Sequence, residues 1–342
     1  MIESYFFELN TKTLCGIGKS LEIGEVLREN NFKHICLFVD EGVAKNSSYF
    51  AEISREINKN ALTLHIQELR GNEEPSYDYL DETAQWARNK KKIDLVIGIG
   101  GGSTLDIAKA VAALITNLGK SVKYRGFDKI KNSPISSMGI PTTAGTGSEI
   151  TINAVFIDKD ENKKLGINGA YINFDFAILD AKWILSCPKA VGISAGIDAM
   201  VHTLESFMTK NANPLTRALS REAFRLLYNN LTTLIDQPQN ETKLQNLLLG
   251  SYLAGAALFN SGSGIAGALS YPIGVYYKVP HGIGGGVFIS SVIEFNVKNG
   301  YFDYAELLDI IEPHENWSNK QKSLRFIECL QSLCGYLEIP TT

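Results

Sequence analysis

Leu95-Val96-Ile97-Gly98-Ile99-Gly100-Gly101-Gly102-Ser103 reads as a buried β-strand running into three glycines and then into a helix with Leu105, Ala108, Ala112 and Ile115 facing inward. An unbroken apolar, β-branched run of this kind suits a strand covered on both faces, as in a parallel sheet. Glycine at the carboxyl end of such a strand lets phosphate oxygens approach the backbone. The helix start behind it offers unpaired N–H groups and a partial positive charge. A merely tight turn is the alternative reading of the same glycines.

Outward from this stretch, the first half of the chain repeats the pattern. Candidate strands at 35–39, 62–66, 95–99, 137–140 and 153–157 alternate with helical patterns at 20–29, 47–58, 77–91 and 104–117. Strand–helix alternation predicts a mostly parallel sheet with helices on both faces. From Pro188 onward helical periodicity takes over: Ile197, Met200, Val201 and Leu204 share one stripe, and Leu219, Ala223, Leu226 and Leu227 another. The expected fold class is therefore α/β followed by all-α. A Rossmann-like dinucleotide-binding domain would span 1–187, and a helical metal and substrate domain 188–342. Residues 335–342 read as a helix end and a linker, so that a last element is either absent or dispensable.

Bulk composition excludes several classes. With 342 residues, 44% apolar and 20% charged, the chain is long enough for two well-filled cores. A net charge of −4, with no basic stripe to offset it, argues against nucleic acid; Asn89-Lys90-Lys91-Lys92 reads as a solvated face. Five cysteines with no Cys-x-x-Cys pair suggest reduced thiols. No basic-then-apolar leader opens the chain, and no apolar run approaches the roughly 20 residues needed to span a bilayer. A cytoplasmic protein with no membrane partner is expected.

Three further segments carry chemistry. Ile140-Pro141-Thr142-Thr143-Ala144-Gly145-Thr146-Gly147-Ser148-Glu149 is a hydroxyl-rich loop suited to riboses or phosphate oxygens, or equally to solvated turn chemistry. Asp40, at the end of its strand, is placed to accept from an adenosine ribose 2′-OH and to repel a 2′-phosphate; an ordinary turn-starting Asp is the alternative. In Ile197-Asp198-Ala199-Met200-Val201-His202-Thr203-Leu204-Glu205, Asp198 and His202 lie four residues apart on one helical face, as a metal site requires. His281, in Val279-Pro280-His281-Gly282, offers a third donor from another segment. A helix-stabilising polar pair and a capped loop histidine are the bland readings of these residues.

Gly100-Gly101-Gly102-Ser103 with Asp106 and Lys109, the Pro141–Glu149 loop, Gly196-Ile197-Asp198-Ala199 with His202 and Glu205, and Pro280-His281-Gly282 occur in the order and spacing of the iron-containing (group III) alcohol dehydrogenases, which this chain resembles from Gly18 to Pro340. The resemblance implies a nucleotide-binding domain, a helical domain and a cleft between them. It also implies hydride transfer between NAD, or alternatively NADP, and a small alcohol or aldehyde. By position, Asp40 matches the residue favouring NAD. Asn72, Gly100, Gly101, Gly102, Ser103, Asp106, Thr142, Thr143, Thr146, Asn153 and Lys164 match the cofactor-binding set. Asp198, His202 and His281 match three of four ligands for Fe2+ or Zn2+, and a homodimer is usual for relatives.

The remaining ligand departs from the pattern. The family has a His-x-x-x-His-Pro helix fourteen residues before the histidine matching His281. Here it reads Gly267-Ala268-Leu269-Ser270-Tyr271-Pro272. Gly267 replaces the ligand, and Tyr271 stands where a proton-relaying histidine often sits, which makes Tyr271 and His281 the catalytic candidates. Three donors would hold a metal weakly or leave the site without one. Tyr124–Lys131, Lys163–Asn168 and Ser270-Tyr271 are similar to the 3-deoxy-octulosonate 8-oxidase branch, implying a sugar or sugar-acid primary alcohol used in surface-glycan synthesis. A metal-depleted, catalytically impaired homologue and a dehydroquinate-synthase-like lyase are the competing readings.

Overall fold

The computed structural model describes residues 4–71 and 74–340. The chain divides into two compact units. One consists of Leu9–Thr143 and Gly147–Pro188. The other consists of Lys189 onward, together with Ala144–Thr146 and the N-terminal residues up to Glu8.

The first unit holds β1 (Lys12–Cys15), β2 (His34–Asp40), β3 (Thr63–Leu69), β4 (Leu95–Gly100), β5 (Gly126–Phe127), β6 (Ser136–Pro141), β7 (Asn153–Asp158), β8 (Lys163–Asn168) and β9 (Phe176–Leu179). Its helices are α1 (Ile23–Glu29), α2 (Glu41–Asn46), α3 (Ser48–Asn60), α4 (Tyr77–Arg88) and α5 (Gly102–Thr116). Six strands form one all-parallel sheet in the order β1-β9-β6-β4-β2-β3. The other three form a small sheet in which β7 and β8 are antiparallel.

Alternation along β2 shows why the large sheet is covered twice. Ile35, Leu37 and Val39 pack with Ile23 and Leu27 of α1 and Ile53 and Ile57 of α3. Cys36 and Phe38 point the other way, into a core with Leu80 of α4 and Leu105 and Ala108 of α5. Successive side chains leave a strand on opposite faces, so an apolar run of this kind requires helices on both sides.

Asp180, which follows β9 and is fully buried, ties this unit together. It accepts from Gly18 N (2.9 Å), Ser20 N (2.9 Å), Lys182 N (3.1 Å) and the Tyr49 hydroxyl (2.7 Å). The turn before α1, helix α3 and the 3-10 turn Ala181–Ser186 thus converge on one carboxylate.

The second unit is helical: α6 (Lys189–Met208), α7 (Pro214–Asn230), α8 (Thr233–Asp236), α9 (Glu241–Ser261), α10 (Ile265–Tyr277), α11 (His281–Lys298), α12 (Ala305–Ile311) and α13 (Asn319–Tyr336). Two short segments expected in the first domain group with this unit instead. Glu8 exchanges hydrogen bonds with the Asn260 side chain (2.8 and 3.0 Å), and Ser251 Oγ donates to the Gly145 carbonyl (3.1 Å). Such pairings between distant segments leave no trace in local periodicity.

The expected strands are all present, the second shifted to Thr63–Leu69. The expected helix 20–29 is a 3-10 turn, Lys19–Glu22, followed by α1. Strands β1, β5, β8 and β9 were not anticipated. β1, β5 and β9 are too short to show a period, and β8 opens with two lysines. All five cysteines are free, and no helix among the described residues is long and apolar enough to cross a membrane.

Replacing Asp180 with Ala orphans four donors in a dry environment. At about 1–3 kcal/mol for a buried unsatisfied group, partly relieved by water entry, the variant is expected to lose about 3 kcal/mol or more in urea unfolding. A loss below about 1 kcal/mol would show that Asp180 does not organise this region.

Candidate functional site

The carboxyl ends of three adjacent strands line up by register in the first unit. Val39 sits beside Ile99, and Gly100 beside Pro141, so Asp40, Gly100 and Thr142 emerge along one edge of the sheet. The order in which strands are added reverses here: β2 is followed outward by β3, whereas β4 returns to the other side of β2. In open α/β sheets such a switch point is where ligands bind.

Gly100 is required by close packing, because a Cβ there would lie 2.6 Å from Thr104 Cβ. α5 can therefore begin directly above the strand. Its N-cap is Gly101, which offers no side-chain bond, so the first-turn N–H groups of Gly102 and Ser103 have no side-chain cap. Anions are favoured at such a helix start. Thr142 N donates to the Gly100 carbonyl (3.0 Å), holding the hydroxyl-rich segment against the glycine turn.

Asp40 Oδ1 accepts from Gly42 N (2.8 Å) and Val43 N (3.2 Å), capping α2. The turn-starting role therefore exists; it occupies one oxygen only. Asp106 has both oxygens engaged, Oδ1 with the Ser148 hydroxyl (2.6 Å) and Oδ2 with Val155 N (2.9 Å). Asn153 contributes its carbonyl to Lys109, and Lys164 pairs with Glu74 at 2.7 Å from the small sheet. Asp106, Asn153 and Lys164 thus each make a contact within the chain, Asn153 through its backbone. Asn72 lies outside the described residues.

Lys109 is completely enclosed. Its ammonium donates to the carbonyls of Ser148 (2.8 Å), Thr151 (3.1 Å) and Asn153, and lies 3.7 Å from Asp106. Burial pushes its pKa down to about 8 despite these partners. Glu149 is buried nearby with Oε1 unpartnered, and burial pushes its pKa up to about 7. This cluster clamps the segment after Thr146 onto α5. The sequence pattern contained both residues, but only tertiary packing shows that a lysine on one element closes three carbonyls on another.

In the helical unit, α6 carries Asp198 and His202 one turn apart, and the start of α11 brings His281 to the same place. Asp198 Oδ1 lies 3.6 Å from His202 Nε2 and 3.7 Å from His281 Nε2, and all three donor atoms fall within 4.8 Å of one another. Donors around a tetrahedral ion with bonds of about 2.0–2.1 Å stand about 3.3 Å apart, so the two pairs with Asp198 need a contraction of a few tenths of an ångström and the pair of imidazoles up to about 1.5 Å. Asp198 and His202 are buried; His281 is partly exposed. The two-nitrogen, one-oxygen set fits a divalent ion such as Zn2+ or Fe2+.

Gly282 explains how α11 comes so near. A Cβ there would lie 1.9 Å from the Ser194 carbonyl, so only glycine lets the two helices touch. Gly267, on α10, has Glu205 as its neighbour. Gly267 N donates to Glu205 Oε1 (2.9 Å), and a Cβ at 267 would lie 3.0 Å from Oε2. Glu205 Oε2 and His202 Nδ1 are buried without partners. Tyr271 sets its ring beside His281, centroids 5.1 Å apart and tilted 37°. Sequence reasoning missed Ser270, whose hydroxyl lies 2.7 Å from His281 Nδ1; a lone serine on a helix carries no signal of that.

Comparison with known proteins assigns the family. Residues 10–181 match the family described as iron-containing alcohol dehydrogenase, and residues 192–342 match the C-terminal part of the Fe-containing alcohol dehydrogenase family. The chain belongs to the iron-containing alcohol dehydrogenase family, and is an oxidoreductase of the alcohol dehydrogenase type. It is 30% identical to the probable alcohol dehydrogenase EutG of Escherichia coli (strain K12) over 290 residues, 85% of this chain and 73% of that protein. It is 34% identical to sulfoacetaldehyde reductase of Bilophila wadsworthia (strain 3_1_6) over 238 residues, 70% of this chain and 61% of that protein. In fold it resembles sulfoacetaldehyde reductase from Bifidobacterium kashiwanohense, solved in complex with NAD+. That comparison has a TM-score of 0.89 and 21% identity, and covers 99% of this chain and 87% of the other.

The raised pKa of Glu149 has a defined sign. The folded state holds its proton more tightly than the unfolded chain, whose carboxyl titrates at 4.5, so its contribution to stability falls as pH rises from about 4.5 to about 7. Glu149→Gln removes that dependence. Its stability advantage over the natural chain is expected to grow across this window, by at most about 3 kcal/mol. A constant difference between the two unfolding curves would refute the assignment.

Proposed function

We propose that the protein transfers a hydride between the nicotinamide of NAD, in preference to NADP, and the carbinol carbon of a small polar alcohol, or the reverse with its aldehyde. The convergence of Asp198, His202 and His281 carries this reading. These side chains would hold a divalent ion, Fe2+ or Zn2+; when bound, it supplies Lewis-acid polarisation of the alcohol or aldehyde oxygen. Asp40, the Gly100-Gly101-Gly102 turn, Ser103 and Thr142, Thr143 and Thr146 form the dinucleotide set. The NAD+ bound to the Bifidobacterium relative supports the same cofactor here. Tyr271, beside His281, is assigned the proton relay to and from the alcohol oxygen, a step that needs a group able to pass one proton per hydride.

The finer reading is a primary alcohol of a sugar or sugar acid. It rests on the similarity of Tyr124–Lys131, Lys163–Asn168 and Ser270-Tyr271 to the octulosonate oxidase branch. NADH formation on a panel of simple alcohols and polyhydroxy acids tests it, with simple alcohols alone as the outcome against it.

Adding Fe2+ or Zn2+ to the purified protein is expected to raise turnover, and chelator to abolish it. Turnover indifferent to both would remove the metal from the mechanism, and dinucleotide binding without turnover on any alcohol would favour an impaired homologue. Gly267→His is expected to retain metal more tightly. The added Cβ requires Glu205 Oε2, 3.0 Å away, to give by a few tenths of an ångström. Unchanged metal content in that variant would place the side chain away from the ion. For the cofactor, Asp40→Asn keeps the cap on α2 while removing the charge. NADP should gain on NAD by about tenfold or more in kcat/KM, and an unchanged ratio would take Asp40 out of the adenosine pocket.

A further inference from the structure

Ser270 is buried on the first turns of α10, where its hydroxyl has two neighbours: the Gly267 carbonyl at 2.6 Å and His281 Nδ1 at 2.7 Å. A hydroxyl carries one hydrogen, and a carbonyl oxygen can only accept. The hydrogen of Ser270 is therefore directed to Gly267, and Ser270 Oγ must accept from His281. That requires a proton on Nδ1 and, in the neutral ring, a lone pair on Nε2. Nε2 is the nitrogen that faces Asp198 Oδ1 at 3.7 Å.

We propose that Ser270 is a positioning residue for the metal site: by committing its proton to the Gly267 carbonyl it holds His281 as the Nδ1–H tautomer, with Nε2 open toward Asp198 and His202. This rests on the metal-binding reading given above. Histidine ligands in metal sites are commonly oriented by an acceptor on the ring nitrogen opposite the ion, which fixes both tautomer and ring plane. Here the acceptor is a serine one helix away.

The same geometry gives position 267 a role that needs no side chain. The Gly267 N–H donates to Glu205 Oε1 (2.9 Å), its carbonyl takes the Ser270 proton, and Ser270 takes the His281 proton. Residue 267 thus meets Glu205, on the helix that bears Asp198 and His202, through the N–H of one peptide group and Ser270 through the carbonyl of the next. The run from His281 through Ser270 to that carbonyl is a cooperative pair of bonds, since the hydroxyl accepts one and donates the other. His281 stands at the first position of α11, and its side chain is 21% exposed.

Ser270→Ala removes one oxygen where α10 and α11 are tightly packed; a Cβ at Gly284 would lie 3.1 Å from Ser270 Cβ, so a larger residue is not the test. Nitrogen-15 NMR of the metal-free protein, at a pH where imidazole is neutral, reads the tautomer of His281, with His281→Gln identifying its signals. The natural chain is expected to show the Nδ1–H form, and Ser270→Ala to move His281 toward Nε2–H, while thermal unfolding changes little. Zn2+ affinity, measured by competition with a chelating dye, is expected to fall about 10–100-fold. Ser270→Cys, a poorer hydrogen-bond partner, should lie between the two and serves if the alanine variant does not fold. An unchanged tautomer, or equal Zn2+ affinity in the natural and variant chains, overturns the proposal. No Zn2+ binding by the natural chain instead removes the metal-site reading, while the tautomer measurement still reports on Ser270 directly.

Discussion

Both faces of the six-stranded sheet are covered, and this constraint organises the first unit. Parallel neighbours in sequence are joined by crossovers, and here α1 and α3 pack on one face of the sheet and α4 and α5 on the other. The carboxyl ends of β2, β4 and β6 therefore emerge together, each followed by a connection that starts on the same edge. Asp40, the glycine turn and Thr142 are neighbours because the backbone is parallel. The close approach of Thr104 to Gly100 then brings the start of α5 directly over that edge.

Burial of charge divides the molecule into two kinds of place. Asp180 and Asp106 have their oxygens taken up by donors of the chain itself, and they join segments that would otherwise separate. His202 and Glu205 are different, each leaving one buried polar atom without a partner on the face of α6 that also carries Asp198. An unpartnered buried atom is costly, on the order of 1–3 kcal/mol, and such costs concentrate where structure serves function. Lys109 and Glu149 lie between these extremes: the ammonium is well partnered, yet burial still draws the two groups' pKa values to about 8 and about 7.

Gly267, on α10, contributes only backbone groups to the contacts around Glu205 and Ser270. Two imidazoles and one carboxylate make a three-donor set, the number found in catalytic zinc sites that keep a position open. The backbone of Gly267 meets Glu205 through its N–H and Ser270 through its carbonyl, and Ser270 in turn meets His281.

Local pattern was enough for the alternation of strand and helix up to 158, the change to helical periodicity near 188, and the pairing of Asp198 with His202 on one helical face, because periods of 2 and 3.6 residues are properties of neighbouring positions. The glycine turn and the hydroxyl-rich loop were legible for the same reason. Strands β1 and β9 were not, since four residues are too few to carry a period, and neither was the grouping of Ala144–Thr146 with the helical unit. That His281 meets Asp198, that Lys109 closes on three carbonyls, and that Ser270 faces His281 are contacts between residues 11 to 83 positions apart. The amino-acid order determined which elements form and which residue types were available for chemistry. Only the packing of α6, α10 and α11, which requires glycine at 282, decided which of those residues come together and that the Ser270 hydroxyl meets Nδ1 of His281.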